Sequence, residues 1–171
     1  MFSKNGNNPL LFLLSFNKTK HLLFKHQEIY QLIHQSFQLS PIIQDKNGFT
    51  PLMLLLNNND SENLHLCHNE IYHLLHQSIQ NEQHLLTNFD ANTFYYFLIK
   101  NNKTQNLKLK PEQIFSLLKH MDFNEKNHTG FKILSYLINF NQEQNLNLSI
   151  EQLTYFIQKS EQQQIIQKYK L

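Results

Sequence analysis

Several residue types are missing or scarce in this chain of 171 residues. It contains no arginine, valine or tryptophan, and it has three glycines and a single cysteine, Cys67. One cysteine cannot form an internal disulfide, which fits a reducing compartment or an oxidising one in which no bridge is needed, and a cytoplasmic location is the simpler expectation. Three widely spaced glycines also exclude a glycine-rich phosphate loop.

Charged residues are scarce as well, at 16% of the chain with a net charge of +2. So small a charge does not provide the electrostatic surface that nucleic acids require, and no arginine is present to read guanine. The polar surface is rich in amides instead, because asparagine and glutamine make up about a quarter of the chain. We therefore expect no nucleic-acid partner.

Long apolar runs are absent too, since none approaches the roughly 20 residues that span a bilayer. The apolar stretch Pro9 to Phe16 is not followed by the small-residue cleavage site of a secretory signal. We expect no membrane association.

Apolar residues nevertheless make up 40% of the chain, including 14 Phe and 7 Tyr, which is enough for the core of a single domain.

The chain repeats itself. The segment Asn5 to Leu14 returns 42 residues later as Asn47 to Leu56, and weaker copies at Asp90 to Ile99 and Thr129 to Ile138 follow at offsets of 43 and 39 residues. Self-similarity at this period predicts a stack of helical units. The predicted single domain, 1–171, consists of units 3–36, 45–78, 88–121 and 127–160, followed by a C-terminal cap, 161–171.

Each unit has the same predicted order of elements. A first helix is apolar on every side, as in Leu52 to Leu56, and is expected to be buried. A connection with alternating leucines predicts an extended, strand-like loop that packs against the stack: Leu64 and Leu66, Leu107 and Leu109, Leu146 and Leu148. A second helix carries an apolar stripe with i, i+3, i+4 spacing: Ile29, Leu32 and Ile33; Ile71, Leu74 and Leu75; Ile114, Leu117 and Leu118.

Smaller features complete the prediction. Ser149 and Gln152 are expected to form a capping box at the start of a second helix. The aromatic column Tyr30, Tyr72 and Phe115 is predicted to pack in the core or to be half-buried, although an exposed recognition stripe is the alternative. The tail after Ser160 is predicted to be a separate helix that covers the open end of the stack with Ile165, Ile166 and Tyr169.

The segment Asp45-Lys46-Asn47-Gly48-Phe49-Thr50-Pro51-Leu52 resembles the opening of an ankyrin repeat, whose pattern is Asp-x-x-Gly-x-Thr-Pro-Leu. The resemblance implies an all-α, ankyrin-like solenoid of about four helix-loop-helix units with a C-terminal capping helix. It departs from the family in two ways. The units exceed the usual repeat of about 33 residues, and Leu55 and Leu56 stand where that family carries small alanines.

The resemblance also implies a function, which is non-catalytic binding of a protein partner through the turn tips and the ends of the first helices. Phe49 and Phe131 follow the turn glycine, where an aromatic ring is either a binding hot spot or folded back over the next unit. The implied protein-binding residues are Lys46, Asn47, Phe49, Asn57 and Asn58 in unit two, Phe89, Asp90, Asn92, Lys100 and Asn101 in unit three, and His128, Thr129, Phe131, Asn139 and Phe140 in unit four.

Elongated ankyrin-like repeats of this kind are similar to those in effectors of intracellular bacteria, which implies possible delivery to a host cytosol. A regulator that inhibits one enzyme by capping its active site is an alternative within the same binding class. We expect the protein to be a monomer without cofactors.

The densest cluster of titratable residues is His65, Cys67, His68, His73 and His76. Imidazole and thiolate are the ligands that zinc prefers, so a zinc-binding or zinc-stabilised protein using His65, Cys67, His73 and His76 is the alternative hypothesis. Equivalent positions of unit one carry lysine and glutamine, which indicates an exposed surface instead. No third group is evident to orient a Cys67–His68 nucleophile pair, so no catalytic residue is predicted.

Overall fold

The computed structural model describes residues 8–37, 43–81, 91–121, 123 and 133–169, apart from the side chains of residues 91–93, 167 and 169. This part of the chain contains eight α-helices and no strand, which confirms the all-α prediction. None of these helices is both long enough and apolar enough to cross a membrane. The helices are α1 Pro9–Phe16, α2 His26–Ser36, α3 Pro51–Asn58, α4 His68–Gln80, α5 Ala91–Asn101, α6 Pro111–Leu118, α7 Ile133–Phe140 and α8 Ile150–Tyr169.

The helices form two layers. The first helices α1, α3, α5 and α7 contact one another in chain order, and so do the second helices α2, α4 and α6. Helix α8 continues the second layer, because Phe115 of α6 and Phe156 of α8 pack with their ring centroids 5.1 Å apart. The repeat in the sequence is therefore also a repeat in the structure.

The first helices provide the centre of the core. Every residue from Pro51 to Leu56 is buried, as apolarity on all sides predicts. The start of α3 follows from its sequence, because Pro51 has the backbone torsion of a first helical turn and Thr50 Oγ1 accepts the Met53 N–H at 3.3 Å.

The second helices bury the predicted stripe, with one exception. All six stripe residues of α4 and α6 are buried, as are Ile29 and Ile33 of α2. Leu32 is exposed, so its predicted burial is wrong, because no described unit lies before unit one to cover it. The aromatic column Tyr30, Tyr72 and Phe115 is half-buried against the core, as predicted.

All four second helices begin with the same hydrogen bond, in which a Glu or Gln side chain accepts the N–H of the residue three positions earlier. The pairs are Glu28 with Lys25 (2.8 Å), Glu70 with Cys67 (2.8 Å), Gln113 with Lys110 (3.0 Å) and Gln152 with Ser149 (2.9 Å). Ser149 Oγ also accepts the Gln152 N–H at 3.3 Å, which confirms the predicted capping box.

The connections between the two helices are loops packed against the core, as predicted, but their backbone is not extended throughout, so that part of the prediction is wrong. Leu64 and Leu66 are buried, as expected, but Asn63 and His65 each have a φ of 54°. This left-handed conformation turns the chain while alternate side chains still point inward. The same pairs recur in the other units: His21 and Leu23, Asn106 and Lys108, Asn145 and Asn147.

One asparagine organises each connection. In all four units its Oδ1 accepts the N–H of the residue seven positions later, at 2.9 to 3.1 Å. In units one to three its Nδ2 also donates to a backbone carbonyl of the next unit, so the same side chain joins neighbouring units. These residues are Asn17, Asn59, Asn102 and Asn141.

The predicted cap is not a separate helix. Helix α8 continues through Ser160 without a break, and Ile165 and Ile166 are exposed instead of covering the core. Gln163 is what contacts the preceding unit, since its Oε1 accepts the Phe123 N–H at 3.0 Å and its Nε2 donates to Met121 O at 3.4 Å.

Candidate protein-binding surface

The turn that opens unit two is held by one carboxylate. Asp45 Oδ1 accepts the N–H groups of Asn47 and Phe49, both at 2.8 Å. Gly48 has a φ of 87°, a conformation that only glycine adopts without strain. Lys46 and Asn47 are consequently exposed at a fixed turn tip. The corresponding openings of the other units lie outside the described residues, except for the Ala91 end of α5.

Phe49 folds back towards unit three. Its ring lies 5.7 Å from that of Phe97 and packs against the hydrophobic core, which leaves the residue half-buried. Of the two alternatives for this ring, the structure therefore shows the folded-back one.

One side of the first-helix layer forms a partly exposed surface, which we call the first-helix face. It comprises four positions of each first helix, in α1 Leu11, Phe12, Ser15 and Phe16, and some of these positions, such as Leu11, Met53 and Leu54, are buried. Positions i, i+1, i+4 and i+5 lie on one side of a helix. Its members discussed below are Phe12, Phe16, Asn57, Asn58, Tyr96, Lys100, Asn101, Tyr136, Asn139 and Phe140.

Amide side chains connect units one, two and three along this face. Asn101 Nδ2 donates to Asn57 Oδ1 at 3.4 Å, and Asn57 Nδ2 donates to Asn58 Oδ1 at 3.2 Å. Asn58 Nδ2 in turn donates to Leu14 O at 3.0 Å, which reaches α1. These hydrogen bonds hold the three amides in place. They do not use all the donors and acceptors of the amides.

Aromatic rings continue the face into unit four. The Lys100 ammonium lies 5.7 Å from the centre of the Tyr96 ring, and the Tyr96 ring meets Tyr136 edge-on at 4.7 Å. Tyr136 stacks on Phe140 at 5.1 Å. The Tyr96 and Tyr136 hydroxyls are hydrogen-bonded at 3.3 Å, and this bond together with partial burial raises the pKa of the Tyr136 phenol.

The predicted binding residues fall into four groups: exposed, half-buried, buried and not described. Lys46, Asn47, Asn57, Lys100 and Asn139 are exposed, and Phe49, Asn58 and Phe140 are half-buried. Asn101 is buried, so its expected exposure is wrong, because its amide packs against α3 to reach Asn57. Outside the described residues lie Phe89, Asp90, His128, Thr129 and Phe131, and the side chain of Asn92 in α5 is likewise not described.

Sequence reasoning missed the residues of α1. Phe12 and Phe16 are 41% and 37% exposed, and their ring centroids are 5.0 Å apart. The signal was present in the repeat, because the position of Phe12 corresponds to Phe97 and Tyr136. This position is aromatic in units one, three and four, whereas unit two carries the buried Leu54.

The histidine and cysteine cluster does not assemble as a zinc hypothesis requires. His73 Nδ1 is hydrogen-bonded to the Tyr30 hydroxyl at 2.9 Å, whereas His76 packs against the Tyr72 ring at 5.6 Å. His65 and Cys67 are exposed on the connection before α4. Across the residues that the structure describes, no group of three or more His, Cys, Asp or Glu side chains could hold a metal ion.

Comparison with known proteins adds no relative to this description. The chain matches no protein-family model, no curated protein and no solved structure. Functional inference for this chain consequently rests on its own residues and their geometry.

Proposed function

We propose that this protein is a non-catalytic protein-interaction module that binds its partner through the first-helix face and the adjoining turn tip of unit two. The observation that carries the proposal is the exposure of the Phe12–Phe16 ring pair at one end of a face that continues to Tyr136 and Phe140. Exposed aromatic rings are enriched in protein interfaces, where they form the residues that contribute most to affinity.

The scaffold supports the same proposal. An ankyrin-like solenoid accounts for the Asp45 turn, the Thr50–Pro51 helix start and the two helix layers together. Stacked repeats of this type present extended surfaces for partners instead of enclosed pockets. The first helices and the turn tips would then provide the contacts, as they do in the family that the sequence resembles.

The chemistry of the face suits a protein partner with apolar side chains and hydrogen-bonding groups. The face offers rings, asparagine amides and the cation of Lys100, and an interface of this composition gains affinity from burial of the rings. The amides are fixed by one another, so little side-chain entropy is lost when a partner binds. A cytosolic partner, in the producing cell or in a host, fits the lack of disulfides.

The test is affinity capture with a matched pair of variants. The double variant Phe12→Ser/Phe16→Ser removes the exposed rings, and Ile165→Ser/Ile166→Ser removes two apolar side chains of α8 that are even more exposed. Both proteins should remain folded by circular dichroism, because none of the four side chains is buried. Capture of partner proteins from the native cell and from host cells should fall about tenfold or more for the phenylalanine variant alone.

Three results decide between the alternatives. Equal capture by the wild type and by the phenylalanine variant would contradict the proposal. Loss of capture only with the isoleucine variant would move the site to α8. If the captured partner is an enzyme, its activity with and without the wild-type protein separates inhibition from scaffolding.

A further inference from the structure

The two ends of the stack expose apolar positions that are buried in every other unit. In the first helices, Leu14, Leu56 and Ile99 occupy one repeat position, and each is 0% exposed. Ile138 occupies the same position in unit four and is 48% exposed. Unit four differs from the others in having no described unit after it, so this position is the one that a following unit covers.

The second helices show the same difference. Ile33, Leu75 and Leu118 are each 0% exposed, whereas Ile157 at the equivalent position is 38% exposed. We call the surface formed by Ile138, Asn141, Glu143 and Ile157 the C-terminal end face.

The N-terminal end shows the complementary pattern at different positions. Phe24 is 40% exposed and Leu32 is 36% exposed, although their equivalents in units two to four are all buried. A groove of about 320 Å³ lies beside Leu32. These are the positions that a preceding unit covers, and together with Lys20 they define the N-terminal end face.

Among the described residues, the hydrogen bonds that join neighbouring units are missing at both ends: the C-terminal end has a donor and the N-terminal end has the matching acceptor. Asn59 Nδ2 reaches Gln105 O of the next unit, but Asn141 Nδ2 donates only to Leu148 O of its own unit among the described contacts. The position of Gln105 corresponds in unit one to Lys20. The carbonyl of Lys20 on a second copy would therefore lie where Asn141 can reach it.

Charge favours the same pairing. At the junction of units one and two, the Glu62 carboxylate accepts the N–H of Thr19, and at the next junction the Gln105 amide oxygen accepts that of Ser61. The equivalent residues on the two free ends are Lys20 and Glu143, both exposed. They have opposite charges, so the junction between two copies would replace these hydrogen bonds with an ion pair.

We propose that the C-terminal end face binds the N-terminal end face of a second copy of this chain, which continues the helix layers from one molecule to the next. This inference does not depend on the proposed function, and it replaces the expected monomer with a concentration-dependent assembly. The contact joins different surfaces on the two partners, so unless it closes into a ring it produces open chains. The first-helix face stays uncovered and is repeated along the assembly.

The test uses one substitution at each end. Ile157→Glu blocks the C-terminal end face and Leu32→Glu blocks the N-terminal one. Matched controls are Ile166→Glu, on the opposite side of α8, and Leu23→Glu, whose position is exposed in every unit. Because all four side chains are exposed in the monomer, the variants should remain folded. Sedimentation velocity over a concentration series measures the assembly of each protein.

Wild type and both controls should form dimers and larger species as the concentration rises. Each end variant alone should assemble at least tenfold more weakly, because a glutamate would be buried at the junction. An equimolar mixture of the two end variants should form dimers but nothing larger, since it retains one intact junction.

Two outcomes would overturn the proposal. One is a wild-type protein that stays monomeric up to about 1 mM, the weakest affinity worth assigning to a specific contact. The other is assembly that depends on Ile157 but not on Leu32, which would indicate a symmetric contact between two C-terminal ends. Charge exchange gives an independent check: Glu143→Lys should weaken assembly, and Glu143→Lys/Lys20→Glu should restore it.

Discussion

Asn59 Nδ2 donates to the carbonyl oxygen of Gln105 at 3.2 Å, a contact between residues 46 positions apart in the chain. The Oδ1 of the same amide accepts the Leu66 N–H at 3.0 Å. One buried side chain therefore shapes the connection of its own unit and joins that unit to the next.

Replacement of Asn59 by Ala should destabilise the protein strongly. The substitution leaves the buried Leu66 N–H without its acceptor and removes the donor to unit three. An orphaned buried group costs roughly 1–3 kcal/mol, so we expect a loss of about 3 kcal/mol in the free energy of unfolding. Urea denaturation followed by circular dichroism measures it.

Two other asparagines provide the controls. Asn141→Ala should cost about half as much, because the described hydrogen bonds of Asn141 lie within its own unit and its side chain is less buried. Asn139→Ala, at an exposed position of α7, should change stability by less than about 0.5 kcal/mol. Similar losses for all three substitutions would contradict a junction role for the Asn59 amide.

The helices could be predicted from the sequence, and the connections could not. The spacing of Ile71, Leu74 and Leu75 indicates a helix, and the apolar run Leu52 to Leu56 is preceded by the helix-start pair Thr50 and Pro51. Alternation of Leu64 and Leu66 fits a strand and equally fits a turn in which every second residue is left-handed. Only the bonding partners of Asn59 distinguish the two, and these include atoms of another unit.

The exposure of a candidate surface residue could be predicted where its own turn determines it, but not where a neighbouring helix does. Lys46 and Asn47 sit at the tip of a turn that Asp45 and Gly48 determine, so their exposure follows from the sequence. The burial of Asn101 depends on the next first helix, and helix spacing cannot be read from residue types alone. The fold-back of Phe49 likewise depends on the position of Phe97.

Leu23 has a φ of 57°, a left-handed conformation in which its Cβ is close to the following carbonyl. The equivalent position in unit four carries Asn147, a residue type that tolerates this conformation. Because the Leu23 side chain is exposed and packs poorly, Leu23→Asn should raise the free energy of unfolding by about 0.5–1 kcal/mol. Urea denaturation at constant temperature measures the gain.

Leu23→Ala provides the matched control for this gain. Alanine removes the same apolar side chain but lacks the amide with which asparagine can bond the local backbone, as Asn147 Nδ2 does to Asn145 O at 3.3 Å, so it should bring no stabilisation. Equal stabilisation by Ala and Asn would show that the exposed side chain, and not the backbone conformation, was unfavourable.

Glu62 makes the junction of units one and two sensitive to acid. Burial raises the pKa of its carboxyl, but hydrogen bonds from Thr19 and Lys18 and the charge of Lys18 outweigh that effect and hold the pKa below its usual value of 4.5. The folded state thus favours the ionised form. Its contribution to stability is fully present above pH 4.5 and is lost as the pH falls through the lowered pKa of the folded protein.

Glu62→Gln should therefore flatten the pH dependence of stability. The neutral amide can still accept N–H groups, as Gln105 does at the next junction, but it cannot lose a charge. We expect the variant to be less stable than wild type at pH 7 and the difference to shrink by about pH 3. Urea denaturation across this pH range tests it, and parallel curves for the two proteins would exclude a role for this carboxylate.

Gln163 is expected to be the contact that holds the second half of α8 in place. Its Oε1 accepts the Phe123 N–H, and Ile165 and Ile166 are too exposed to contribute much burial energy. Gln163→Ala should lower the free energy of unfolding by about 1–2 kcal/mol, because it orphans a partly buried N–H. Gln162→Ala, one residue earlier and exposed, should change it by less than about 0.5 kcal/mol.

Hydrogen exchange distinguishes local loss of this contact from destabilisation of the whole protein. Gln163→Ala should reduce protection of the Phe123 amide while leaving that of the Ile114 amide unchanged. Unchanged protection of Phe123 in this variant would show that another group bonds its amide.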